Sequence, residues 1–139
     1  VQNVNLKYPE FEKKVHKTLN KYYFMKHEKQ YGVAVSGGPD SMLLLYVLNR
    51  WANLKGKFLN VFSFDHNLRK GSSDEILFVE KACKKLNCNF IKIKWYEKPK
   101  TALMEQARVA RYSQIAKKCK ENNIKTLFLG HHADDIAET

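Results

Sequence analysis

The hexapeptide Ser36-Gly37-Gly38-Pro39-Asp40-Ser41 lies between two apolar runs, and that placement constrains the fold more than any other feature of the chain. The run before it, Tyr31 to Val35, has the length of a strand; the run after it, Met42 to Leu48, opens a helix. Strand, glycine turn and helix in that order bring a helix N-terminus up to an anion. Gly37 and Gly38 let the backbone approach a phosphate closely, and Ser36 and Ser41 add hydroxyl donors. Asp40 offers a carboxylate to a phosphate-bound magnesium ion. The segment is not a Walker A loop, whose lysine reaches the β and γ phosphates. No lysine occurs from Ser36 to Leu48, so transfer of the terminal phosphate is disfavoured. The plain alternative is a turn that merely needs glycine. The two serines and the aspartate weigh against it.

The rest of the chain repeats a strand–helix pattern. Pro9 as a first helical residue, then Phe11, Val15, Leu19 and Tyr22, predicts an amphipathic helix with Lys13, Lys14, Lys17 and Lys21 on its polar face. Residues 1–30 are thus expected to be an N-terminal basic helix packed on the domain. Strands are predicted at Tyr31–Val35, Phe58–Phe64, Asn89–Lys94 and Thr126–Leu129. A crossover helix runs from near Asp40 to Leu54. Another opens on the capping box Ser72-Ser73-Asp74-Glu75, with Ser72 as N-cap and Ile76, Val79, Cys83 and Leu86 inward. A long one covers Ala102 to Asn122, with Leu103, Ala107, Ala110, Ile115 and Cys119 inward, and a last one begins near Ala133. Right-handed crossovers make this an α/β fold, a parallel doubly wound sheet of at least four strands with helices on both faces. Ligands bind such sheets at the carboxyl ends of the strands, so residues 36–41, 65–71 and 130–135 should converge.

Composition narrows the class of protein. A length of 139 residues predicts a single domain, and no apolar run approaches the roughly 20 residues that span a bilayer. A polar N-terminus without a signal core points to the cytoplasm, and the absence of an initiator Met suggests a trimmed chain. Cys83, Cys88 and Cys119 form no CxxC pair, which argues for buried free thiols over a zinc site. The formal net charge of +11 suits RNA, although scattered lysine is also ordinary solvated surface.

The loops after the strands carry the chemistry-bearing groups. Arg69 offers a guanidinium fork to a phosphate. Asp65 fits an Asx turn, and His66 a hydrogen-bonding loop residue. Asp134 and Asp135 either complement a helix dipole or share a magnesium ion. Asp134 and Glu138, four apart, share a face that could hold a cationic group. His131 and His132 lack a third soft ligand for zinc. Arg108 and Arg111, three apart beside Tyr112, make a basic aromatic edge.

Val33 to Ser41 resembles the SGGxDS signature of the PP-loop ATP pyrophosphatases, and three further stretches are similar to tRNA(Ile)-lysidine synthetases. These are Asp65-His66-Asn67-Leu68-Arg69, Glu105 to Tyr112 and Leu129 to Thr139, in the family's order from about Tyr31 onward. The resemblance implies a domain cut short at its C-terminal end, ATP and Mg2+ as cofactors, and L-lysine and tRNA(Ile) with anticodon CAU as partners. A homodimer is left open. It implies adenylation of the C2 carbonyl oxygen of the wobble cytidine with release of pyrophosphate, then attack of the lysine amine on C2 and loss of AMP. By the same resemblance Ser36, Gly37, Gly38, Pro39, Asp40 and Ser41 cradle the phosphates, and backbone at Ala34 and Phe64 meets adenine. Asp40 with Asp134 or Asp135 holds magnesium, Arg69 and Arg111 face phosphate or the activated base, and Asp134 or Glu138 takes the lysine ammonium. The rivals are a tRNA thiolase of the same superfamily and a non-catalytic nucleotide-binding domain.

Overall fold

The computed structural model describes residues 2–21, 27–67, 71–96 and 103–130, with the side chains of residues 2–8, 72 and 130 left aside. Helices and strands alternate as α1 (Gln2–Asn20), β1 (Gln30–Val35), α2 (Pro39–Leu54), β2 (Phe58–Asp65), α3 (Ser72–Leu86), β3 (Asn89–Lys94), α4 (Leu103–Glu121) and β4 (Leu127–Gly130). The four strands form one parallel sheet in the order β3-β2-β1-β4. The described residues therefore form the predicted α/β class, with four parallel strands.

Alternation along the strands sorts the core onto two faces. Tyr31, Val33 and Val35 of β1 and Leu59 and Val61 of β2 pack with α2, α3 and Leu19 of α1. Ala34, Phe62 and Ile93 point the other way and meet Ile115 and Cys119 of α4. Gly32 makes room on that second face, since a methyl there would stand 3.0 Å from the Phe62 ring. Of the predicted stripe, α3 buries Ile76, Val79 and Cys83, and Leu86 is partly buried. Asn87 ends it at φ +59, and Asn123 follows α4 at φ +61, left-handed positions that asparagine tolerates better than most residues.

Three local expectations are corrected. α1 begins at Gln2, so Pro9 lies inside it and does not start it. The N-cap of α3 is Gly71 at φ +97, not Ser72, and the Gly71 carbonyl accepts from Asp74 N and Glu75 N. Leu103 is 40% exposed, because it stands at the first residue of α4, before the helix reaches the sheet. The helix expected near Ala133 lies outside the described residues.

Candidate phosphate-binding site

The strand order creates the site. α2 carries the chain from β1 over one face to β2, and α4 carries it over the other face from β3 to β4. β1 and β4 are neighbours, with Val35 opposite Gly130, and the helix that leaves β1 and the helix that enters β4 lie on opposite faces. This is the switch point where open parallel sheets leave a crevice. A cleft of about 920 Å³ opens there.

One wall is the loop after β1. Gly37 takes φ +98, and a methyl on it would sit 3.1 Å from the Glu75 carbonyl oxygen of α3. Gly38 is the N-cap of α2 and Pro39 its first residue, so the positive end of the helix dipole faces the cleft. The loop is braced internally. Ser41 Oγ donates to Gly38 O at 3.1 Å and lies 3.2 Å from Ser36 Oγ, which accepts from Gly38 N at 3.4 Å. Ser41 is buried and holds the loop's shape, while Ser36, Gly37, Gly38 and Pro39 line the cleft. Asp40 is exposed in the first turn of α2 and is not among the lining residues.

The other walls come from distant segments. Ala34, Phe62 and Phe64 supply an apolar floor at the ends of β1 and β2, and Ile76 and Ile115 continue it. α4 contributes Met104, Arg108 and Arg111. The Arg111 guanidinium stacks 4.9 Å from the Tyr112 ring centroid, and that of Arg108 lies 5.9 Å away on the same ring. Arg111 Nε is buried and has no hydrogen-bond partner among the described residues. A buried cationic donor without an acceptor is costly unless a ligand supplies one. A phosphate oxygen fits that need.

Asp65 is buried, and it works within the fold. Its Oδ1 accepts from Asn67 N at 2.9 Å, the expected Asx turn, and its Oδ2 accepts from Ser73 Oγ at 3.1 Å. It ties the end of β2 to the start of α3 and so steadies the Glu75 carbonyl against Gly37. His66 reaches the cleft wall. Arg69, His131, His132, Asp134, Asp135 and Glu138 lie outside the described residues. Of the site residues expected from sequence, Ala34, Ser36, Gly37, Gly38, Pro39, Phe64 and Arg111 come together around one cleft. Phe62, Glu75, Ile76 and Met104 line it too and were not singled out. Nothing local marks Phe62 or Ile76 as other than core, and Glu75 reads as a cap.

The cysteines stand apart from this cleft. Burial pushes the Cys83 thiol up to about 12 and the Cys88 thiol up to about 11, and raises that of Cys119. Among the described residues no cluster of three or more His, Cys, Asp or Glu side chains is placed to hold a metal ion. Nor is any described helix long and apolar enough to cross a membrane.

Comparison with known proteins follows the geometry. A family model described as the PP-loop domain matches residues 7–139. The tRNA(Ile)-lysidine synthase of Orientia tsutsugamushi (strain Boryong) is 38% identical over 108 residues, covering 76% of this chain and 24% of that protein. The tRNA(Ile)-lysidine synthase of Wolbachia pipientis wMel is 40% identical over 116 residues, 81% of this chain and 27% of that protein. The chain thus spans about a quarter of the length of these relatives. The U34-tRNA thiolase NcsA from Methanococcus maripaludis, solved with its [4Fe-4S] cluster, superposes with a TM-score of 0.77 at 21% identity. That match covers 94% of this chain and 46% of the thiolase, and it is a likeness of fold.

Proposed function

The chain belongs to the PP-loop domain family, and from that premise we propose that it is the ATP-splitting part of a cytoplasmic tRNA(Ile)-lysidine synthase. The reaction joins the wobble cytidine of tRNA(Ile), anticodon CAU, to L-lysine and splits ATP into AMP and pyrophosphate. The observation that carries the reading is the cleft itself. A lysine-free glycine loop at a helix N-terminus faces, across an apolar floor, a buried arginine nitrogen that has no hydrogen-bond partner among the described residues. The loop N–H groups and Ser36 hold the β and γ phosphates as a leaving group. Arg111 bears on the phosphate chain from the opposite wall. Ala34 and Phe64 border the adenine. When bound, magnesium neutralises phosphate charge. Asp40, at the rim, would hold it with Asp134 or Asp135, and Arg69 and Glu138 complete the assignment as phosphate and lysine contacts.

The identities of 38% and 40% to lysidine synthases support lysine as the nucleophile. The 21% likeness to a thiolase supports the fold alone. The cysteines of this chain lie off the cleft as protonated thiols, which favours an amine over a sulfur nucleophile.

The test uses the gene's complete product with ATP, magnesium, labelled lysine and tRNA(Ile) bearing CAU. AMP, pyrophosphate and lysine in RNA are expected. ADP as product, or sulfur incorporated in place of lysine, refutes the reading. Asp40→Ala should abolish pyrophosphate release without changing the circular dichroism spectrum, and full activity would remove Asp40 from the site. Size-exclusion chromatography of the same sample reads the homodimer.

A further inference from the structure

The end of the sheet opposite the cleft is as distinctive as the cleft. The loops that feed β1, β2 and β4 there are basic. Lys29 precedes β1, Lys55 and Lys57 precede β2, and Lys125 precedes β4. Lys84 and Lys120 stand in the last turns of α3 and α4 at the same end. Among the described residues of these segments the acidic side chains are Glu28 and Glu121. Glu28 accepts from Thr126 Oγ1 at 2.8 Å, and Glu121 pairs with Lys118 at 3.7 Å. Lysines in last turns also complement helix dipoles. So does Lys55, the C-cap residue of α2, whereas Lys29 and Lys125 lie in the loops that enter β1 and β4.

These loops form one fixed platform. Asn89 Nδ2 donates to Asn60 Oδ1 at 2.8 Å, Asn60 Nδ2 donates to Gln30 Oε1 at 3.1 Å, and Gln30 Nε2 donates to Asn122 O at 2.9 Å. The Lys29 carbonyl accepts from Phe58 N at 3.0 Å. A line of side-chain amides therefore crosses the entries of β3, β2 and β1 and ends on the backbone of the connection before β4. Held this way, the lysines cannot disperse as they could on independent loops. Neighbouring strands lie about 4.8 Å apart, so the face is roughly 14 Å wide and matches a length of nucleic-acid duplex carrying about eight phosphates. Phe58 is 73% exposed at its edge, an aromatic surface on which a base can stack.

We propose that this face is a second RNA-docking surface, which holds the phosphate backbone of a structured RNA remote from the cleft. It deepens the function proposed above and rests on that reading for the choice of RNA as the polyanion. The face binds charge and shape without reading sequence.

The experiment compares two variants of the full chain with equal loss of charge. One carries Lys29→Gln, Lys55→Gln, Lys120→Gln and Lys125→Gln. The other carries Lys13→Gln, Lys14→Gln, Lys81→Gln and Lys92→Gln, all exposed and outside the loops that enter the strands. Fluorescence anisotropy with a short RNA hairpin is run over a range of KCl, with calorimetric ATP titration and thermal melting as controls. The first variant should lose on the order of 10- to 100-fold in RNA affinity. Its salt slope should fall by about one unit for each lysine that meets a phosphate. The second should bind RNA nearly as the parent does. ATP affinity and melting temperature should hold in both. Equal losses in the two variants would mean that net charge alone is at work, and would overturn the proposal. So would unchanged hairpin binding by the first variant, or loss in it of binding to phosphatidylserine vesicles alone. Failure of the lysidine reading shows separately, as absent lysine incorporation with this hairpin difference intact.

Discussion

Alanine at Gly37 and alanine at Gly38 should damage the protein in different ways. Gly37 sits at φ +98, where a side chain costs roughly 1–3 kcal/mol. The added methyl would also stand 3.1 Å from the Glu75 carbonyl oxygen, a helix backbone atom with little freedom to move. For a chain of 139 residues each kcal/mol moves Tm by roughly 3–4 °C. Gly37→Ala is therefore expected to lower Tm by roughly 3–12 °C. Gly38 has φ −72 and ψ 164, which any residue adopts, and its nearest contact would be Ser36 Oγ at 3.6 Å. Alanine there gains about 0.4–1 kcal/mol through the unfolded state and loses a similar amount as a poorer N-cap. Its Tm should stay within roughly 3 °C of the parent. Its methyl, however, occupies space the phosphates need. At about 1–3 kcal/mol for such overpacking, affinity for a non-hydrolysable ATP analogue should fall roughly 5- to 150-fold. Differential scanning calorimetry reads the first effect and isothermal titration the second. A parental Tm for Gly37→Ala, or a Gly38→Ala protein that melts early yet binds normally, would refute the reasoning.

Arg111→Met should keep or slightly raise Tm, since it removes a buried unpartnered donor. ATP affinity should drop about 10- to 100-fold, the worth of a charge-assisted hydrogen bond; unaltered calorimetric binding would remove Arg111 from the site. Asp65→Ala leaves Asn67 N and Ser73 Oγ without their acceptor and should cost about 2–4 kcal/mol in urea unfolding, whereas Asp65→Asn, which keeps one oxygen, should lose less. The thiols give a pH dependence with a definite sign. The Cys83 thiol ionises at 9.0 when unfolded and at about 12 when folded, so both states are protonated below pH 9 and only the unfolded state gains from ionisation above it. Stability should fall as pH rises through that window, and less steeply in Cys83→Ala; equal slopes in urea melts at pH 8 to 10.5 would discount the thiol.

Much of the fold was legible because its signals are local. Val33 and Val35 alternate with Ala34, and Ile76, Val79 and Cys83 recur at helical spacing, so strand and helix can be read within a few residues. The local errors have local causes too. Pro9 looks like a helix start, yet it is accommodated seven residues into α1. Ser72 and Glu75 spell a capping box, but Gly71, free to take φ +97, ends the loop one residue earlier and leaves Ser73 to bond Asp65. At the site, the loop and Arg111 could be singled out from motifs, while Phe62, Ile76 and Met104 could not. Their place on the cleft depends on which helix crosses which face.

By itself, then, the sequence determined the strand–glycine–helix unit at residues 31–48 and the absence of a Walker lysine from its loop. Those properties follow from short-range sterics and from which side chains are present. The tertiary structure decided what the loop faces. The order β3-β2-β1-β4 opens the crevice beside Val35 and brings Arg111 across it from a helix some 70 residues away along the chain. It also gathers Lys29, Lys55 and Lys125 at the far end, where the sequence shows only scattered lysine. Strand order is a long-range choice made by packing two sheet faces at once, and no local period encodes it.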